Sequence, residues 1–349
     1  MQYIAYFGTY TRGETGSEGI YAYRLNLDSG KMTEVGLVAK IADPSFLTIH
    51  PNNHYLYSVN ERDGLQGGVS AFAIDPRTGK LQLLNQLSAR GIATCYVSLD
   101  PTGRMLVVTN YSSGTVVSFP LRKDGRLAEA VSTIQHKGMR QPHPHSVNFS
   151  PDNRFVIIPD VGTDKVYVYR TNLVTAKLEP NIPPAVKVKS ESGPRHLTFH
   201  PSGKICYVIN EAGNTVTVFK WHSHSGVLEE IQLIPTLPKS FSGTNYTAEV
   251  IIHPSGKFLY GSNRGHDSIA VFGIDTLDGK LTALEHTSTQ GKTPRNFNLD
   301  PTGKLLFALN QKSNTVVTFS VNKKTGKLTP TGQILSVPSP SCLRWVPVD

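Results

Sequence analysis

The sequence is poor in cysteine and free of long hydrophobic runs, and each shortage excludes a class of protein. Three Cys among 349 residues, Cys95, Cys206 and Cys342, cannot build a disulfide framework and are not paired at metal-ligand spacing. No apolar stretch approaches the roughly 18 residues that a membrane-spanning helix needs. The first residues, MQYIAYFGTY, lack the basic start and apolar core of a secretory leader, so we expect a cytoplasmic protein without a membrane partner.

A repeat with a period of about 50 residues runs through the chain. Five of the units join two alternating apolar runs through an Asp-Pro or His-Pro turn, as in CYVSLDPTGRMLVVTNY (95–111) and RHLTFHPSGKICYVINE (195–211). A second series of turns, such as TGKL from residue 78 and DGKL from residue 278, has the same period. Seven units are predicted, because the turn prolines are Pro51, Pro101, Pro151, Pro201, Pro254, Pro301 and Pro347.

Each unit has the pattern of four short β-strands, since its runs are rich in Val, Ile, Tyr and Phe and alternate with period two. Seven such units predict an all-β fold: one seven-bladed β-propeller domain over residues 1–349, with four antiparallel strands per blade. A solenoid would need atypical capping repeats at its ends. Here SCLRWVP supplies one C-terminal strand and the N-terminal segments YIAYFGTY, GIYAYRL and KMTEVG supply three. We expect these four strands to form the closing blade.

Strand direction places two positions of every blade at the same mouth of the central channel. One lies about six residues before the turn proline, and the other follows the residue, usually Asn, that ends the second strand. The first set is Ser45, Cys95, His145, Arg195, Ala248, Arg295 and Ser341, and the second is Thr9, Glu61, Tyr111, Val161, Glu211, Arg264 and Gln311. A scaffold alone would repeat one residue type, so this mixed polar chemistry indicates a functional site.

Some polar residues near the mouth have a plausible structural role. His143 is either a loop residue or a binding residue, and Glu61 is either a solvated loop charge or part of the site. His196 follows Arg195, so period two should turn it away from the site, and it is kept as a candidate binding residue. The histidines that precede turn prolines, such as His50, and the recurrent Asn residues are expected to be structural.

Three arginines, a histidine and a glutamate suit chemistry on a small anion. Arg binds carboxylate or phosphate through paired hydrogen bonds, and it stabilises the oxyanion formed when water attacks an ester carbonyl. A His beside a Glu can take the proton from that water. The sequence contains no Gly-rich phosphate loop, dinucleotide fingerprint or zinc spacing. The residues by themselves therefore predict an acid/base site for a small anion.

The net charge also points to an anionic partner. The chain has 35 Lys and Arg against 26 Asp and Glu, a formal net charge of +9, which suits nucleic acid or a small acidic substrate. Much of this excess, including Lys80 and Lys204, lies in the recurrent turns on the face away from the predicted site. No base-stacking aromatic series accompanies these residues, so we expect a small-molecule partner and no nucleic acid.

Three segments resemble the motifs of a known family, the seven-bladed propeller lactonases. They are HPHSVNFSPDNRFVIIPDVGTDKVYVY (143–169), GPRHLTFHPSGKICYVINEAGNTVTVF (193–219) and SNRGHDSIAVF (262–272). The family includes bacterial propeller-type 6-phosphogluconolactonases and fungal carboxy-muconate lactonising enzymes, and the resemblance covers nearly the whole chain. It implies hydrolysis of 6-phosphogluconolactone to 6-phosphogluconate in the oxidative pentose phosphate pathway, without a metal or other cofactor.

The resemblance also implies roles for individual residues. His145 and Glu211 would form the acid/base pair, with the choice of base left open. Arg195 and Arg264 would bind the acyl oxygen and the anionic group. The remaining candidates for substrate binding are Arg295, His143, Glu61 and His196.

The chain departs from the family in its second blade, where Cys95 and Tyr96 stand at the place of a His that many members carry. Two alternatives to the phosphogluconolactonase remain at this point. One is a muconate-type lactonising or cycloisomerase enzyme on the same scaffold. The other is a non-catalytic propeller that serves as a binding platform.

Overall fold

A computed structural model describes residues 2–27, 29–62 and 66–348, which are built almost entirely of β-strands. The strands form seven sheets of four antiparallel strands each, which confirms the predicted seven-bladed propeller. In this described part the single helical element is a 3₁₀ turn at Gln311–Ser313. No helix among the described residues is long and apolar enough to cross a membrane.

The strands follow the chain from blade to blade, innermost strand first. The closing blade contains β1 (Gln2–Thr9), β2 (Gly19–Asn26), β3 (Met32–Lys40) and, as its innermost strand, β28 (Pro340–Val348). Blade 1 contains β4 (Leu47–Ile49), β5 (Tyr55–Asn60), β6 (Gln66–Ile74) and β7 (Leu81–Ile92). Blade 2 contains β8 (Thr94–Leu99), β9 (Met105–Asn110), β10 (Thr115–Pro120) and β11 (Ser132–Gln135).

The other four-stranded sheets have the same order. Blade 3 contains β12 (Asn148–Phe149), β13 (Phe155–Asp160), β14 (Lys165–Asn172) and β15 (Lys177–Lys187). Blade 4 contains β16 (Pro194–Phe199), β17 (Ile205–Asn210), β18 (Thr215–His222) and β19 (Val227–Pro235). Blade 5 contains β20 (Tyr246–Ile252), β21 (Phe258–Arg264), β22 (Ser268–Ile274) and β23 (Leu281–Ser288). Blade 6 contains β24 (Pro294–Leu299), β25 (Leu305–Asn310), β26 (Thr315–Val321) and β27 (Leu328–Ser336).

The predicted closing blade is confirmed in detail. β28 pairs with β1 in antiparallel register from Gln2↔Val348 to Phe7↔Leu343. The Trp345 indole also donates a hydrogen bond of 2.7 Å to the Leu299 carbonyl oxygen in blade 6. The C-terminal strand is therefore held by backbone pairing on one side and by a neighbouring blade on the other.

The hydrophobic core is divided among the interfaces between blades. Between blades 5 and 6, for example, Phe258 and Tyr260 pack with Phe297 and Phe319. The middle strands of each blade are covered on both faces by neighbouring blades, so they have nearly continuous apolar sequences, as in FVIIPD of β13. This explains why the period-two alternation is clearest in the outer strands.

Two kinds of side-chain hydrogen bond repeat between adjacent blades. A Tyr in the second strand donates its hydroxyl hydrogen to a Gly carbonyl in the next blade's third turn: Tyr6 to Gly79, Tyr57 to Gly125, Tyr207 to Gly279, and Tyr260 to Gly326. A His before the turn proline contacts a Gly carbonyl of the next blade through Nε2: His50 with Gly103, His200 with Gly256, and His253 with Gly303. These histidines are structural, as expected.

Four of the recurrent Asn residues tie the end of the second strand to the segment that enters the same blade. Asn60 donates to the Ala42 carbonyl oxygen, Asn110 to Ala89, Asn263 to Thr236 and Asn310 to Thr289, at 2.8–3.0 Å. These Asn side chains are buried, so the bonds are shielded from water. Their structural role explains why the same residue returns from blade to blade.

We predict that Tyr260→Phe lowers the free energy of unfolding by about 1–2 kcal/mol, because the variant leaves the Gly326 carbonyl oxygen without its buried partner. Chemical denaturation followed by circular dichroism measures the change. Tyr55→Phe is the matched control, since no described residue forms a hydrogen bond with the Tyr55 hydroxyl. Equal stability of the two variants would contradict the prediction.

Candidate active site

The predicted mouth of the channel holds a small polar cavity. Its volume is about 10 Å³, and it receives side chains from six of the seven blades. The lining residues are Tyr10, Ser45, Phe46, Cys95, His145, Arg195, His196, Arg295, Asn296 and Ser341. A larger cleft of about 520 Å³ lies among the turns that contain Lys204 and Lys280, on the opposite face, and none of the predicted site residues lines it.

A buried carboxylate, Asp160, fixes the loop that carries His145. Asp160 ends β13 at the place of the recurrent Asn, and its Oδ1 accepts hydrogen bonds from the backbone N–H groups of His143, Gly162 and Thr163. Its Oδ2 lies 2.6 Å from His136 Nδ1, and both side chains are fully buried. Burial alone would raise the pKa of Asp160, but these hydrogen bonds hold it below its usual value.

His145 lines the cavity as a neutral base. Its ring is buried, and its Nδ1 has no hydrogen-bond partner among the described residues. Burial and the nearby charges of Arg195 and Arg295 hold the pKa of His145 well below its usual value. The imidazole is therefore uncharged at neutral pH, and a ring nitrogen is free to accept a proton.

Glu211 lies between two of the predicted arginines. Arg264 Nη2 donates a hydrogen bond of 2.8 Å to Glu211 Oε1, and Arg195 Nε lies 3.1 Å from Oε2. The Arg195 N–H is not aligned with that oxygen, so this second contact is electrostatic. Burial would raise the pKa of Glu211, yet the two guanidinium groups keep it below its usual value.

Glu61 belongs to a second charged group at the same mouth. It accepts hydrogen bonds from the Tyr10 hydroxyl at 2.8 Å, from Arg12 Nη2 at 3.2 Å and from the Ser45 hydroxyl. It is buried and hydrogen-bonded, so its interpretation as a solvated loop charge is wrong. Arg12 also lies over the Tyr10 ring, at 4.7 Å from the centroid.

Tyr10 is not among the residues predicted for the mouth, because the alignment of the closing blade with the other blades is one residue too early. β1 ends at Thr9, so Thr9 occupies the place of the recurrent Asn, and its hydroxyl donates to the Gly19 carbonyl oxygen at 2.6 Å. The next residue, Tyr10, is therefore equivalent to Glu61 in blade 1. Counting from the end of the strand would have placed Tyr10 at the mouth.

The expectation that His196 points away from the site was also wrong. The pairing of β16 with β17 shifts register between Pro194 and His196, and this bulge breaks the period of two. Arg195 and His196 consequently both line the cavity. His196 Nδ1 lies 2.8 Å from Glu249 Oε1, and its Nε2 lies 3.1 Å from Arg195 Nη1.

Arg295 lacks a carboxylate partner within ion-pair distance in the part of the chain that the structure describes. Its guanidinium carbon lies 5.2 Å from the centroid of the Tyr10 ring, a cation–π contact. Burial opposes its charge, but Tyr10 and the carboxylates of Glu61 and Glu211 more than offset this, and the pKa of Arg295 is raised. Arg295 is thus a charged group that is available to a ligand.

His143 and Cys95 differ in their position relative to the cavity. The His143 ring stacks on Tyr111 with centroids 4.3 Å apart, its Nδ1 lies 2.8 Å from the Tyr111 carbonyl oxygen, and it does not line the cavity. Cys95 does line it, with Sγ 3.7 Å from the carbonyl oxygens of Pro144 and His145. Burial raises the pKa of Cys95 to about 12, so its thiol is uncharged and packs behind the His145 loop.

The mouth carries an excess of positive charge. Arg12, Arg195, Arg264 and Arg295 face two carboxylates, Glu61 and Glu211, so the difference is two positive charges. Among the described residues no group of three or more His, Cys, Asp or Glu is arranged to hold a metal ion. The arrangement fits a small ligand that carries negative charge.

Comparison with known proteins gives consistent relatives. The family model "Lactonase, 7-bladed beta-propeller" matches residues 4–345. A 6-phosphogluconolactonase of Bacillus subtilis is 37% identical, over 86% of this chain and 85% of that protein. A 6-phosphogluconolactonase of Formosa agariphila is 34% identical, over 84% of this chain and 86% of that protein. The solved structure of a periplasmic gluconolactonase from Pseudomonas aeruginosa has a TM-score of 0.95 and 34% identity, and the match covers 100% of each chain.

We predict that Asp160→Asn lowers the free energy of unfolding at pH 7 by about 1.5–3 kcal/mol, the value typical of hydrogen bonds to a charged group. Because the pKa of Asp160 is lowered in the folded state, this stabilisation exists above the unfolded pKa of about 4 and is lost as the pH falls through the lower folded pKa. Urea unfolding at pH 7 and in acid measures both effects.

The exposed carboxylate of Asp278, in the turn before β23, supplies the control Asp278→Asn, which should leave the urea midpoint unchanged. An Asp160→Asn protein as stable as wild type at pH 7, or a difference that does not shrink in acid, would show that Asp160 does not anchor the loop.

Proposed function

The chain belongs to the family of seven-bladed β-propeller lactonases and is a lactone hydrolase, and we propose that it opens 6-phospho-D-glucono-1,5-lactone to 6-phosphogluconate. The observation that carries this proposal is the neutral His145 imidazole, with an unpartnered Nδ1, in a cavity lined by Arg195 and Arg295. A base and two cations in one cavity are what water attack on an ester carbonyl requires.

His145 is the better general base of the predicted acid/base pair. Glu211 is held by Arg195 and Arg264, which lower its pKa and therefore its tendency to accept a proton. His145 is neutral and has a free ring nitrogen. It takes a proton from the attacking water and returns it to the ring oxygen that leaves when the carbon–oxygen bond breaks. Glu211 instead orients the two guanidinium groups.

Arg195 is placed to stabilise the oxyanion. Its Nη1 donates hydrogen bonds to the Ala248 carbonyl oxygen at 2.7 Å and to His196 Nε2 at 3.1 Å, whereas its Nη2 forms no hydrogen bond with another described residue. Nη2 can therefore donate to the negative charge that develops on the acyl oxygen. A preorganised donor of this kind is typically worth about 10²–10³-fold in rate.

The anionic group of the substrate is assigned to Arg295. Arg264, the residue implied by the family resemblance, is already paired with Glu211, whereas Arg295 has no carboxylate partner among the described residues. A phosphate monoester carries a charge of about −2 at neutral pH, which matches the excess of two positive charges at the mouth.

A phosphorylated substrate is also relevant to the location of the protein in the cell. Sugar phosphates are intermediates of metabolism inside the cell, so the proposed substrate agrees with the cytoplasmic location and the oxidative pentose phosphate pathway expected from the sequence. The related structure from Pseudomonas aeruginosa is described as a periplasmic gluconolactonase. The preference between phosphorylated and unphosphorylated lactone is therefore the measurement that bears on the location.

We predict that His145→Ala lowers kcat for 6-phosphogluconolactone by about 10²–10⁴-fold, the usual contribution of general-base catalysis. Glu211→Gln should lower kcat/KM by about tenfold or more, because Arg195 and Arg264 lose their common anchor. The assay must subtract the spontaneous opening of the lactone. His54→Ala, in an exposed turn, is the control that keeps normal turnover. Normal rates in both site variants would refute the proposed site.

We predict that Arg295→Gln raises KM for 6-phosphogluconolactone at least tenfold, since a charged hydrogen bond contributes about 1.5–3 kcal/mol. The KM for unphosphorylated glucono-1,5-lactone should change much less, because that substrate lacks the phosphate. Steady-state kinetics on the two lactones measure the ratio, with Arg126→Gln in a distant exposed turn as control. An equal effect on both substrates would remove Arg295 from phosphate binding.

A further inference from the structure

A buried chain of hydrogen bonds extends from Arg195 away from the cavity. Arg195 Nη1 lies 3.1 Å from His196 Nε2, and His196 Nδ1 lies 2.8 Å from Glu249 Oε1. The Asn296 amide then donates to Glu249 Oε2. All four side chains are buried, and they come from three neighbouring blades, 4, 5 and 6.

The chemistry of the partners fixes the protonation of His196. A guanidinium group has donors only, so Arg195 Nη1 must donate and His196 Nε2 must accept. The ring hydrogen is then on Nδ1, where it is donated to Glu249. Burial lowers the pKa of His196 to about 4 despite the opposing effect of Glu249, so the ring is neutral at pH 7.

We propose that His196, oriented by Glu249 and Asn296, is a positioning group that holds Arg195 Nη1 and so leaves Nη2 directed at the reacting acyl oxygen. This proposal rests on the proposed lactonase function for its effect on rate, but the hydrogen-bond arrangement itself stands apart from that function. Glu249 and Asn296 have no other role in the proposed reaction.

A neutral acceptor serves this purpose better than a carboxylate. Glu211 already lies 3.1 Å from Arg195 Nε, and a second carboxylate in direct contact with Nη1 would weaken the attraction of the guanidinium for the oxyanion further. His196 fixes the same nitrogen without adding negative charge there, and the charge of Glu249 is kept one ring farther away. Glu249 is itself stabilised by Asn296 and by the Val250 backbone N–H at 3.1 Å, and its pKa is lowered even though burial opposes this.

The surroundings of His196 restrict it to one orientation. Its ring packs edge-on against Tyr96, with centroids 5.2 Å apart, and against Phe46 at 6.0 Å. The His145 ring lies on another side at 5.1 Å. The ionisable or charged groups that face it are therefore Arg195, Glu249, His145, Tyr96 and, at longer range, Arg295. Rotation of the ring by half a turn would put Cδ2 in the place of Nδ1 and Cε1 in the place of Nε2, so both hydrogen bonds would be lost.

The test uses the full-length chain with ¹⁵N-labelled histidine and arginine. In wild type at pH 7 we expect the Nδ1–H tautomer at His196, assigned by the loss of its signals in His196→Asn, and slow rotation of the Arg195 guanidinium group. Glu249→Ala should shift His196 toward the Nε2–H tautomer and free Arg195. It should also lower kcat about 10- to 100-fold with little change in KM, since a misplacement of roughly 1 Å costs up to about 10²-fold.

Two variants separate positioning from a general loss of structure. Glu249→Gln retains an acceptor oxygen for His196, and the Asn296 amide can turn so that its unpartnered Oδ1 accepts from the new side chain. We expect this variant to keep the Nδ1–H tautomer and most of the rate. Asn298 lies on the same inner strand as Asn296, and Asn298→Ala removes its hydrogen bond of 2.9 Å to the Leu343 carbonyl oxygen. This variant should have lower stability and an unchanged kcat.

The outcomes distinguish the two proposals. The positioning role is overturned if His196 of the wild type is the Nε2–H tautomer. It is also overturned if Glu249→Ala shifts the tautomer but keeps a normal kcat. Turnover is measured with 6-phosphogluconolactone and, separately, with unphosphorylated glucono-1,5-lactone. If wild type hydrolyses neither lactone, the proposed function fails, whereas the tautomer and the Arg195 rotation still decide whether His196 holds Arg195.

Discussion

The pairing of β28 with β1 is the interaction on which the rest of the structure depends. Each blade buries its faces against its two neighbours, so an open ring would expose two apolar faces that have no other cover. The C-terminal strand joins the N-terminal sheet, and the closed ring then leaves neither of these two faces exposed. Closure then fixes the diameter of the ring, and the diameter determines how closely the innermost strands bring their side chains together.

The site follows from that convergence. His145, Arg195 and Arg295 are separated by 50 residues or more in sequence, but each occupies the same position in its blade. The bonds that recur between blades, from Tyr hydroxyls and His rings to Gly carbonyls, lie toward the opposite face. The scaffold and the chemistry therefore use different ends of the same strands, so residues at the mouth can vary without loss of the contacts between blades.

The burial of several charges in one small cavity is tolerable because each has a specific partner. Glu211 is shared by Arg195 and Arg264, and Glu61 is held by Arg12 with two hydroxyl groups. An unpaired ion in such a place would be costly. Arg295 departs from this pattern, since no carboxylate of the described residues lies within ion-pair distance and its guanidinium packs on the Tyr10 ring. The departure marks the point where a ligand would complete the charge balance.

Much of the fold could be predicted from the sequence, because a period of about 50 residues and turn chemistry specify blades directly. The residues at the mouth followed from counting along that period. The count failed at Thr9, where β1 lacks the Asn that marks strand ends elsewhere, and at His196, where a bulge shifts the register. The pairing of Arg195 with Glu211 within blade 4 and the support from Glu249 in blade 5 could not be predicted, since individual side-chain contacts leave no periodic signal.

The register of the closing blade brings the two ends of the described chain side by side. Gln2 and Val348 are direct partners across the antiparallel pair, so a short peptide could join the two ends of the described chain without distorting the sheet. The covalent break could then be moved to a turn on the far face, such as the one at Gly125 in blade 2, while the ring kept the same neighbours. Such a circular permutant would keep the residues at the mouth of the channel in place.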